Sequence, residues 1–343
     1  MKRVSVVILN WNGKKFLEEF LPSVLEHSNS EGVEVVVADN MSGDDSIDFM
    51  KKTYPSVRLI ELDQNYGFTG GYNRALEQID AKYFLLLNSD VEVTAGWLDP
   101  LIDFMEKNEG CALCTPKVLD FNNKTHFEYS GAAGGFIDRF GYPFCRGRIF
   151  DHVEEDRGQY DQITEIFWGT GACLMVRSSL YRKAGGLDEQ FFAHMEEIDL
   201  CWRLKRMGHS IYFIPTSTIY HVGGGTLAYH NPRKTYFNFR NNLLLLYKNL
   251  PAKNRHTILF TRKVLDGISA LRFLLQGAFR DFRAVFKAHL DYSGMKPHYR
   301  GLKKTNKSHG NDVIASEIYP GSIVVSFFLK GKKKYSDLPK HKV

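Results

Sequence analysis

Acidic and amide side chains follow apolar segments at several points in the first hundred residues of this 343-residue chain. Asp39 is one of them, because it comes directly after Val35–Ala38. At the end of a strand, an acid can accept hydrogen bonds from a nucleobase or a ribose. It can equally cap the helix that follows, although Ser42 or Asp44 would serve as a cap too. On this pattern alone both interpretations of Asp39 stay open.

A second polar segment, Asn88-Ser89-Asp90, follows three leucines. Side chains two residues apart at a strand end point to one side, so Asn88 and Asp90 are expected to face the same ligand. Hard cations such as Mg²⁺ and Mn²⁺ bind oxygen atoms from one or two carboxylates, from water and from substrate phosphates. The pair is a candidate cation site, although turns are rich in the same residue types.

A glycine-rich segment, Asn65–Arg74, is predicted to open a helix. Glycines let the backbone approach a ligand closely, and the first N–H groups of a helix favour anions. The spacing is not that of a dinucleotide-binding motif, and the sequence has no P-loop motif. The segment therefore disfavours an NAD enzyme and a P-loop ATPase.

Three acids, Glu196, Glu197 and Asp199, follow the aromatic pair Phe191-Phe192. A helix N-terminus stabilises acids by about 0.3–1 kcal/mol, which explains one or two of them without any catalysis. The aromatic neighbours predict a partly dry pocket, in which the pKa of a carboxylate rises and the group becomes a useful general base. Asp199 and Arg203 are also spaced to pair along the helix.

The elements that must position these residues alternate between strand and helix. The predicted strands are Val4–Asn10, Val33–Ala38, Val57–Glu61 and Tyr83–Asn88, and the predicted helices are Lys14–Ser28, Asp44–Lys52, Gly70–Asp80 and Trp97–Glu106. This succession predicts a doubly wound α/β sheet with right-handed crossovers. Ligands of such sheets bind at the carboxyl ends of the strands, which places Trp11-Asn12, Asp39, Asn65 and Asn88–Asp90 along one rim.

The rest of the chain is less regular. Residues 110–170 are predicted to form loops and short strands, and a strand, two helices and further strands are predicted over Ala172–Arg177, Ser178–Ala184, Glu196–Met207, Ile211–Ile214 and Thr218–Tyr220. Beyond Pro232, residues 234–249 and 254–290 have the spacing of amphipathic helices. Residues 291–343 are predicted to be a poorly ordered, lysine-rich end.

In combination these motifs resemble glycosyltransferase family 2, whose members have the GT-A fold. The motifs that carry the resemblance are Asn10-Trp11-Asn12-Gly13, Asp39-Asn40-x-Ser42-x-Asp44, Asn65-x-Gly67-Phe68-x-Gly70-Gly71-x-Asn73, Leu87-Asn88-Ser89-Asp90-x-Glu92, Gly169-Thr170-Gly171-Ala172, Gly185-Gly186-Leu187-Asp188-Glu189-x-Phe191-Phe192 and Glu196-Glu197-x-Asp199-Leu200-Cys201-Trp202-Arg203. The match covers about residues 4–226 and is similar to the rhamnosyltransferase-like branch, which builds surface polysaccharides.

The resemblance implies a GT-A α/β fold, with a doubly wound mixed sheet flanked by helices and a C-terminal helical extension. It implies a glycosyltransferase domain over residues 1–230, in which residues 1–120 bind the nucleotide sugar and residues 121–230 bind the acceptor. We expect the amphipathic extension at 231–290 and the basic tail at 291–343.

It also implies an inverting transfer of a sugar, from a dTDP- or UDP-linked donor to a hydroxyl of a glycan or lipid-linked acceptor. Glu197 would be the base, with Asp199 as its rival, and Asp90 and His221 would bind Mg²⁺ or Mn²⁺. The implied donor-binding residues are Trp11, Asn12, Asp39, Asn65, Gly70, Asn73, Arg74 and Asn88. Those implied for the acceptor are Trp168, Gly169 and Glu196. The alternatives are a sugar nucleotidyltransferase and a non-catalytic binding protein of the same fold.

The charges are unevenly distributed along the chain. Residues 251–343 hold 19 Lys and Arg against 6 Asp and Glu, whereas the whole chain has a net charge of only +6. The basic end predicts either a helical subdomain packed on the body or docking on the anionic inner face of the cell membrane, and nucleic acid is disfavoured as a partner.

No apolar run is long enough to span a bilayer. Five scattered cysteines suggest reduced core thiols in a cytoplasmic protein.

Overall fold

A computed structural model describes residues 1–223, 231–305 and 318–339, with side chains for all of these except 301–305. Its strands are β1 (Lys2–Asn10), β2 (Val33–Asp39), β3 (Arg58–Glu61), β4 (Ala81–Asn88), β5 (Val91–Val93), β6 (Cys111–Asp120), β7 (Gly135–Asp138), β8 (Pro143–Cys145), β9 (Arg148–Ile149), β10 (His152–Val153), β11 (Thr164–Glu165), β12 (Cys173–Arg177), β13 (Ser210–His221) and β14 (Ile318–Tyr319). Its α-helices are α1 (Lys14–His27), α2 (Ser46–Thr53), α3 (Gly67–Glu77), α4 (Asp99–Lys107), α5 (Ser178–Ala184), α6 (Glu196–Arg206), α7 (Pro232–Asn249), α8 (Ala252–Leu275) and α9 (Phe279–Thr305).

The first half of the chain builds the parallel part of a mixed sheet. β1 pairs in parallel with β2 on one side and with β4 on the other, and β3 extends the sheet beyond β2. β12 joins β4 in the antiparallel direction and is followed by β6 and β13. The order is β11-β13-β6-β12-β4-β1-β2-β3, with β5 paired to β13. Helices α1, α2 and α3 connect the parallel strands, which confirms the predicted doubly wound mixed sheet.

Alternate residues of the central strands enter two different hydrophobic cores. Val6 and Ile8 of β1 pack in one core with apolar residues of α1 and α4. Val7 lies in the other core, which contains residues of α3, α5 and α6. A strand that is covered on both faces needs apolar side chains at nearly every position, which explains the almost continuous apolar run at the start of the chain.

The less regular middle of the chain forms a second, smaller sheet in the order β10-β9-β8-β7-β14. The two sheets meet where Gly135 of β7 bridges to Trp168. A Cβ atom on Gly135 would lie only 2.0 Å from the Trp168 ring, so this contact requires glycine. The strands predicted at Ile211–Ile214 and Thr218–Tyr220 are one long strand, β13, whose register against β6 shifts between them.

The C-terminal helices differ from the prediction in one respect. Residues 254–290 do not form one helix, because α8 ends at Leu275 and α9 begins at Phe279. Gly277 between them has φ +73°, a left-handed conformation that interrupts a helix and that glycine adopts at little cost. α7 packs against α6, α8 and α9.

The prediction of a poorly ordered end is wrong for the part of it that the structure describes. Residues 291–305 continue α9, and β14 pairs in parallel with β7. The Ile323 N–H donates to the Asp138 carboxylate at 2.8 Å, and the Tyr335 ring lies 5.3 Å from that of Phe136. These contacts pack residues 318–339 on the second sheet. Residues 224–230, 306–317 and 340–343 lie outside the described part.

All five cysteines are buried and free, as predicted: Cys111, Cys114, Cys145, Cys173 and Cys201. Burial raises the pKa of the Cys145 thiol to about 11 and that of Cys201 to about 12. In the described ranges, no helix has both the length and the hydropathy needed to cross a bilayer.

Candidate active site

The carboxyl ends of β1 and β2 meet at Asn10 and Asp39, which are register partners in the sheet. Asn10 donates a side-chain hydrogen bond to Asp39 Oδ2 at 2.9 Å, and the Ser42 N–H donates to Asp39 Oδ1 at 2.7 Å. Asp39 is almost fully buried. Since each carboxylate oxygen has two lone pairs, Asp39 keeps the capacity to accept further hydrogen bonds.

Beside this pair, the loop after β1 is joined to the loop after β2. Asn12 has φ +51°, and its Oδ1 accepts a hydrogen bond from the Gly43 N–H at 2.7 Å. Trp11 is 49% exposed, which is unusual for a tryptophan. The Asn12 side chain therefore holds the loop after β1 in place and shapes the rim. The Trp11 ring faces solvent.

The glycine-rich segment opens α3 at Gly67, three residues earlier than predicted. Asn65 Oδ1 accepts from the Gly67 N–H at 2.8 Å and from the Asn40 side chain at 3.1 Å. A Cβ atom on Gly70 would lie 2.9 Å from the Tyr66 Cβ atom. Asn65 therefore fixes the start of the helix, and Gly70 is needed for its packing.

Asn73 and Arg74 connect α3 to the loop between α5 and α6. Asn73 donates to the Leu187 carbonyl at 2.8 Å and accepts from the Tyr181 hydroxyl at 2.7 Å. Arg74 forms a 2.7 Å ion pair with Glu189, which raises the pKa of Arg74. Both predicted donor-binding side chains thus join the two halves of the molecule in this structure.

Asn88, Asp90 and His221 come together at the end of β4. His221 Nε2 lies 3.2 Å from Asp90 Oδ1 and 3.4 Å from the Asn88 side-chain nitrogen. His221 is the last residue of β13, and its register partner on β5 is Val91, next to Asp90 in the chain. The sheet therefore assembles three residues that were predicted separately for this site.

A fourth residue of this cluster, Glu128, was missed by the sequence analysis. Its Oε1 lies 3.5 Å from His221 Nδ1, and its Oε2 accepts from the Ser130 N–H at 2.6 Å. Burial raises the pKa of Glu128, but the charge of His221 outweighs burial and the net shift is downward. In the sequence, Glu128 could have been noticed only as an acid between two aromatic residues, Phe127 and Tyr129. It lies in a segment without any recognised motif.

Burial lowers the pKa of His221, yet the carboxylates of Glu128 and Asp90 outweigh burial and raise it to about 10. The side chains of Asn88, Asp90 and His221 can supply an amide oxygen, a carboxylate and, once a cation displaces the His221 proton, an imidazole nitrogen, which suit a divalent cation such as Mn²⁺. In the part of the chain that is described, no group of three or more His, Cys, Asp or Glu is arranged as a complete metal site. The cluster fits a cation whose other ligands come from the phosphates of a bound nucleotide.

The segment before α6 has a strained backbone. Phe192, His194 and Met195 all have φ between +65° and +73°, a region that residues other than glycine rarely occupy. Such strain persists only where the surrounding structure holds it, and it is concentrated at functional sites. The segment leads directly into Glu196 and Glu197.

Two elements hold this strained segment in place. From α7, Asn241 donates to the carbonyls of Phe191, Ala193 and His194 at 2.7–2.9 Å. From the other side, the Phe192 carbonyl accepts from two N–H groups in the first turn of α3 at 3.2 and 3.3 Å. These two N–H groups of α3 are thus already bonded to the protein. The strained segment is held between α3 and α7.

Glu196 and Glu197 begin α6 with raised pKa values. Burial raises the pKa of Glu197 to about 7. Burial and the neighbouring charge of Glu197 raise the pKa of Glu196 well above its ordinary range. No described residue donates a hydrogen bond to Glu197 Oε2. Glu197 therefore combines the pKa and the unpaired oxygen that a general base needs.

Asp199, only two residues further on, is in a very different environment. Its Oδ2 accepts from Arg203 and Lys248, both at 2.8 Å, and its Oδ1 accepts from Asn249 at 2.8 Å. Burial raises the pKa of Asp199, but the charges of Lys248 and Arg203 outweigh burial and lower it to about 2. A fully buried carboxylate with these partners ties α6 to α7, and it is poorly suited to accept a proton.

The structure places Trp168 in the core rather than at the rim. The side chain is almost fully buried, and its indole N–H donates to the Phe136 carbonyl at 3.0 Å. Gly169 is buried as well, and a Cβ atom there would lie 2.9 Å from Leu113. The predicted contact of Trp168 with a sugar does not fit this position, because packing against Gly135 covers the ring.

Glu128 of the cation cluster and the segment around Glu197 interact electrostatically with some of the same residues. Glu128 and Glu197 both raise the pKa of the buried Cys145 thiol. Lys234 of α7 interacts with Glu128 and also helps to lower the pKa of His194, which burial brings to about 4. The charges of Glu128 and Glu197 thus both act on Cys145, and Lys234 interacts with residues of both groups.

The match to known proteins agrees with this geometry. A family model described as "Glycosyl transferase family 2" matches residues 5–183, which is more than half of the chain. The chain belongs to this family. The predicted family is thus confirmed, and the protein is a glycosyltransferase.

Two curated relatives show similarity to this glycosyltransferase over most of their length. The N-acetylglucosaminyl-diphospho-decaprenol L-rhamnosyltransferase of Mycobacterium tuberculosis is 27% identical over 231 residues, which cover 63% of this chain and 75% of the relative. The rhamnosyltransferase WbbL of Escherichia coli is 23% identical over 267 residues, which cover 74% of this chain and 95% of WbbL. The predicted likeness to rhamnosyltransferases is confirmed.

Solved structures confirm the GT-A fold of this glycosyltransferase. Staphylococcus aureus TarS 1-349 in complex with UDP-GlcNAc has a TM-score of 0.54 at 16% identity and covers 83% of this chain and 80% of TarS. The mannosyltransferase PcManGT of Pyrobaculum calidifontis, in complex with GDP-Man and Mn²⁺, has a TM-score of 0.52 at 15% identity and covers 88% of this chain and 79% of its own.

Proposed function

We propose that this glycosyltransferase moves a sugar, with inversion, from a nucleoside diphosphate sugar to a hydroxyl of a lipid-linked glycan that is built into cell-surface polysaccharide. The main support is Glu197, a carboxylate with a pKa of about 7 and an unpaired Oε2, in a chain that also brings Asp90 to within 3.2 Å of His221. The names of the relatives support the acceptor class, since one of them acts on a decaprenyl diphosphate sugar. A dTDP- or UDP-linked donor is proposed on the same ground.

The proposed reaction is a single displacement. Glu197 takes the proton of the acceptor hydroxyl while that oxygen forms a bond to the anomeric carbon, and the bond from this carbon to the diphosphate breaks on the opposite side. A base with a pKa near the working pH is efficient, because it is largely ionised and still binds a proton well. The strained segment before α6 fixes the direction of the Glu197 side chain.

Asp90 and His221, with the amide oxygen of Asn88, would hold the divalent cation. A cation bound there neutralises the negative charge on the departing diphosphate. Glu128 lies on the far side of the His221 ring, with Oε1 3.5 Å from Nδ1, and its carboxylate would orient the ring, as carboxylates commonly do behind a ligating histidine. Because Asn88 is a neutral amide, the protein contributes one negative charge fewer than a pair of acids would, and we expect weaker cation binding in the absence of nucleotide.

The donor nucleotide is proposed to lie along the rim of β1 and β2. The unused lone pairs of Asp39 would accept hydrogen bonds from the base or the ribose, and the exposed Trp11 ring would stack on a planar group. Asn12, Asn65, Gly70 and Asn73 act by shaping this rim and its junction with the acceptor half.

Thermal-shift measurements with a panel of dTDP-, UDP- and GDP-sugars test this function, because a ligand that binds the folded state stabilises it. We expect one donor class to raise the melting temperature, more strongly with Mn²⁺ present. The variant Asp90→Ala should lose the Mn²⁺ effect and the transfer activity. The exposed Asp103→Ala on α4 is the matched control. Full transfer activity in EDTA would contradict the cation site.

A further inference from the structure

Helix α8 presents a row of large apolar side chains to solvent. The row, here called the apolar stripe, consists of Phe260, Val264, Ile268, Leu271 and Leu275. These side chains are 49–80% exposed. At about 100° per residue, all five lie within an arc of about 80° of the helix.

The stripe lies opposite the face of α8 that packs on the protein. Leu259, Arg262, Asp266 and Ala270 are buried, and in the helical projection they lie on the other side of the axis from the stripe. α9 repeats the arrangement, because Phe279, Phe286 and Leu290 are all more than half exposed while Ala288 and Tyr292 are buried. Two packed helices therefore each turn an apolar row away from the core.

The ordered part of the tail adds to this apolar surface. Phe328 and Leu329 are exposed, and the Arg272 guanidinium of α8 lies 5.6 Å from the centre of the Phe328 ring. Lys330, Lys333 and Lys334 follow and are exposed. The lysine cluster of the tail thus lies next to an apolar surface in the fold, and not at a free end.

The charges around the apolar stripe are almost all positive. Residues 252–290 contain eight Lys and Arg and two Asp. One of these acids, Asp266, is buried against Arg262 at 2.7 Å, and the other, Asp281, accepts a hydrogen bond from Thr235 at 2.6 Å. Lys287 pairs with Asp291 at 2.5 Å, but exposed cations such as Lys263, Arg272 and Arg283 border the apolar rows with little opposing charge.

We propose that the apolar stripe and the adjoining row of α9 lie in the interface of an anionic lipid bilayer. Soluble proteins seldom expose a contiguous row of large apolar side chains without a partner. A helix with apolar residues on its free face and cations on the flanks is suited to lie in the headgroup region, where the apolar side chains enter the acyl boundary and the cations meet lipid phosphates. A second copy of the chain is a poorer partner, because it would bring like charges together.

The docking surface has a defined relation to the active site. α7 packs against both α8 and α9, and α7 also carries Asn241, which clamps the segment before Glu197. Docking through α8 would thus hold the active-site segment at a fixed distance from the membrane surface. The proposed surface rests on exposure and charge alone, and it does not depend on the proposed transfer reaction.

Co-sedimentation of the full chain with vesicles tests the proposal. We expect binding to vesicles of phosphatidylglycerol and phosphatidylcholine in equal parts, weaker binding at high salt, and little binding to phosphatidylcholine alone. The double variant Phe260→Ser/Ile268→Ser should lower the affinity for the mixed vesicles by at least about tenfold, because it removes two inserted side chains. The matched control is Ile163→Ser, since Ile163 is exposed to a similar degree (52%, against 60% for Ile268) but belongs to another part of the molecule.

Insertion itself can be followed by fluorescence. Leu271→Trp should shift its emission to shorter wavelength on the mixed vesicles, whereas Ile163→Trp should not. All of these variants change exposed residues, so their melting temperatures should match that of the native chain. Hydrolysis of the donor without vesicles should also be unchanged, so loss of vesicle binding and loss of catalysis are observed separately.

Two results would overturn the proposal. One is sedimentation of the double variant equal to that of the native chain. The other is light scattering that shows a native dimer and a monomeric double variant while vesicle binding stays the same, which would assign the stripe to contact between copies.

Discussion

Glu197 and Asp199 show how strongly local partners decide the chemistry of a carboxylate. Both acids lie in the first turn of α6 and are shielded from water. Glu197 lacks a described hydrogen-bond donor at Oε2, and its pKa rises to about 7. Asp199 is bonded to two cations and an amide, and its pKa falls to about 2. The same helix end thus provides one proton acceptor and one permanent anion.

Replacing Glu197 by Gln should lower kcat by about 10²–10⁴ with little change in donor affinity, because the amide keeps the size of the side chain but cannot take a proton. In the native enzyme kcat should fall as the pH drops below about 7, since only the ionised base is active. Steady-state kinetics across pH 5–9 measures both effects, and the exposed Glu109→Gln is the control. A Glu197→Gln enzyme with more than about a tenth of native kcat would rule out this base.

The Asp199→Asn variant should mainly lose stability. Removing the charge leaves Arg203 without its ion-pair partner and Lys248 with Asp188 alone, at a cost of about 3 kcal/mol in the free energy of unfolding. Because the folded-state pKa is depressed, this stabilisation is present above the unfolded pKa near 4 and is lost as the pH falls toward 2. Urea unfolding at pH 7 checks the loss, with Asp103→Asn as the exposed control. If stability is native and kcat collapses, Asp199 is the base instead.

Among single residues, the sequence correctly placed Asp90 beside His221, but it placed Trp168 at the acceptor site although the ring lies in the core. Asp90 directly precedes β5, whose first residue, Val91, pairs with His221 at the end of β13, so the pairing of β5 with β13 brings the two predicted residues together. Glu128 joins them from a segment whose short strands have no periodic pattern, so nothing in the sequence connected it to the site. The contact of Lys248 with Asp199 spans 49 residues, and spacing along a chain carries no information about such pairs.

Among the elements, α7 holds the strained segment and Asp199 in place. Asn241 donates hydrogen bonds to three carbonyls of the strained segment, and Lys248 and Asn249 reach Asp199 at the opposite end of the same helix. The sequence predicted α7 from its apolar spacing but assigned it to an extension. Its polar residues on either side of the leucine run, Asn241 before it and Lys248 and Asn249 after it, join α7 to the strained segment and to α6.

The variant Asn241→Ala should release the strained segment and misplace Glu197. We expect kcat to fall by about 10–100-fold with the donor KM little changed, because the donor rim lies on other elements. The kcat–pH profile should shift as well, since Glu197 would gain access to water. Asn238→Ala on the same helix is the matched control and should behave as the native enzyme. Equal kinetics for the two variants would show that Asn241 does not position the base.

For the whole molecule, the described tail is a structural part of the second sheet. Tyr335 packs against Phe136, Phe144 and Tyr160. The composition of this region is rich in lysine, which is why the sequence predicted disorder there. A few apolar residues between the lysines were enough to fix the chain on the body.

Deleting residues 330–343 should therefore lower the free energy of unfolding by about 2–4 kcal/mol, because the Tyr335 ring leaves its site. The substitutions Lys332→Ala, Lys333→Ala and Lys334→Ala together should keep the native melting temperature and weaken only the binding to anionic vesicles. Calorimetry on both proteins makes the comparison. A deletion that leaves the melting temperature unchanged would contradict the packed tail.

The five buried thiols can be used to measure where the folded enzyme opens locally. Cys111, Cys114 and Cys173 lie in the main sheet, Cys145 in the second sheet and Cys201 in α6. An alkylating reagent reaches such thiols only when the surrounding structure opens, so the rate of modification at each site measures the local free energy of opening. If Cys145 is modified faster than Cys173, the second sheet with its attached tail can detach while the main sheet stays folded.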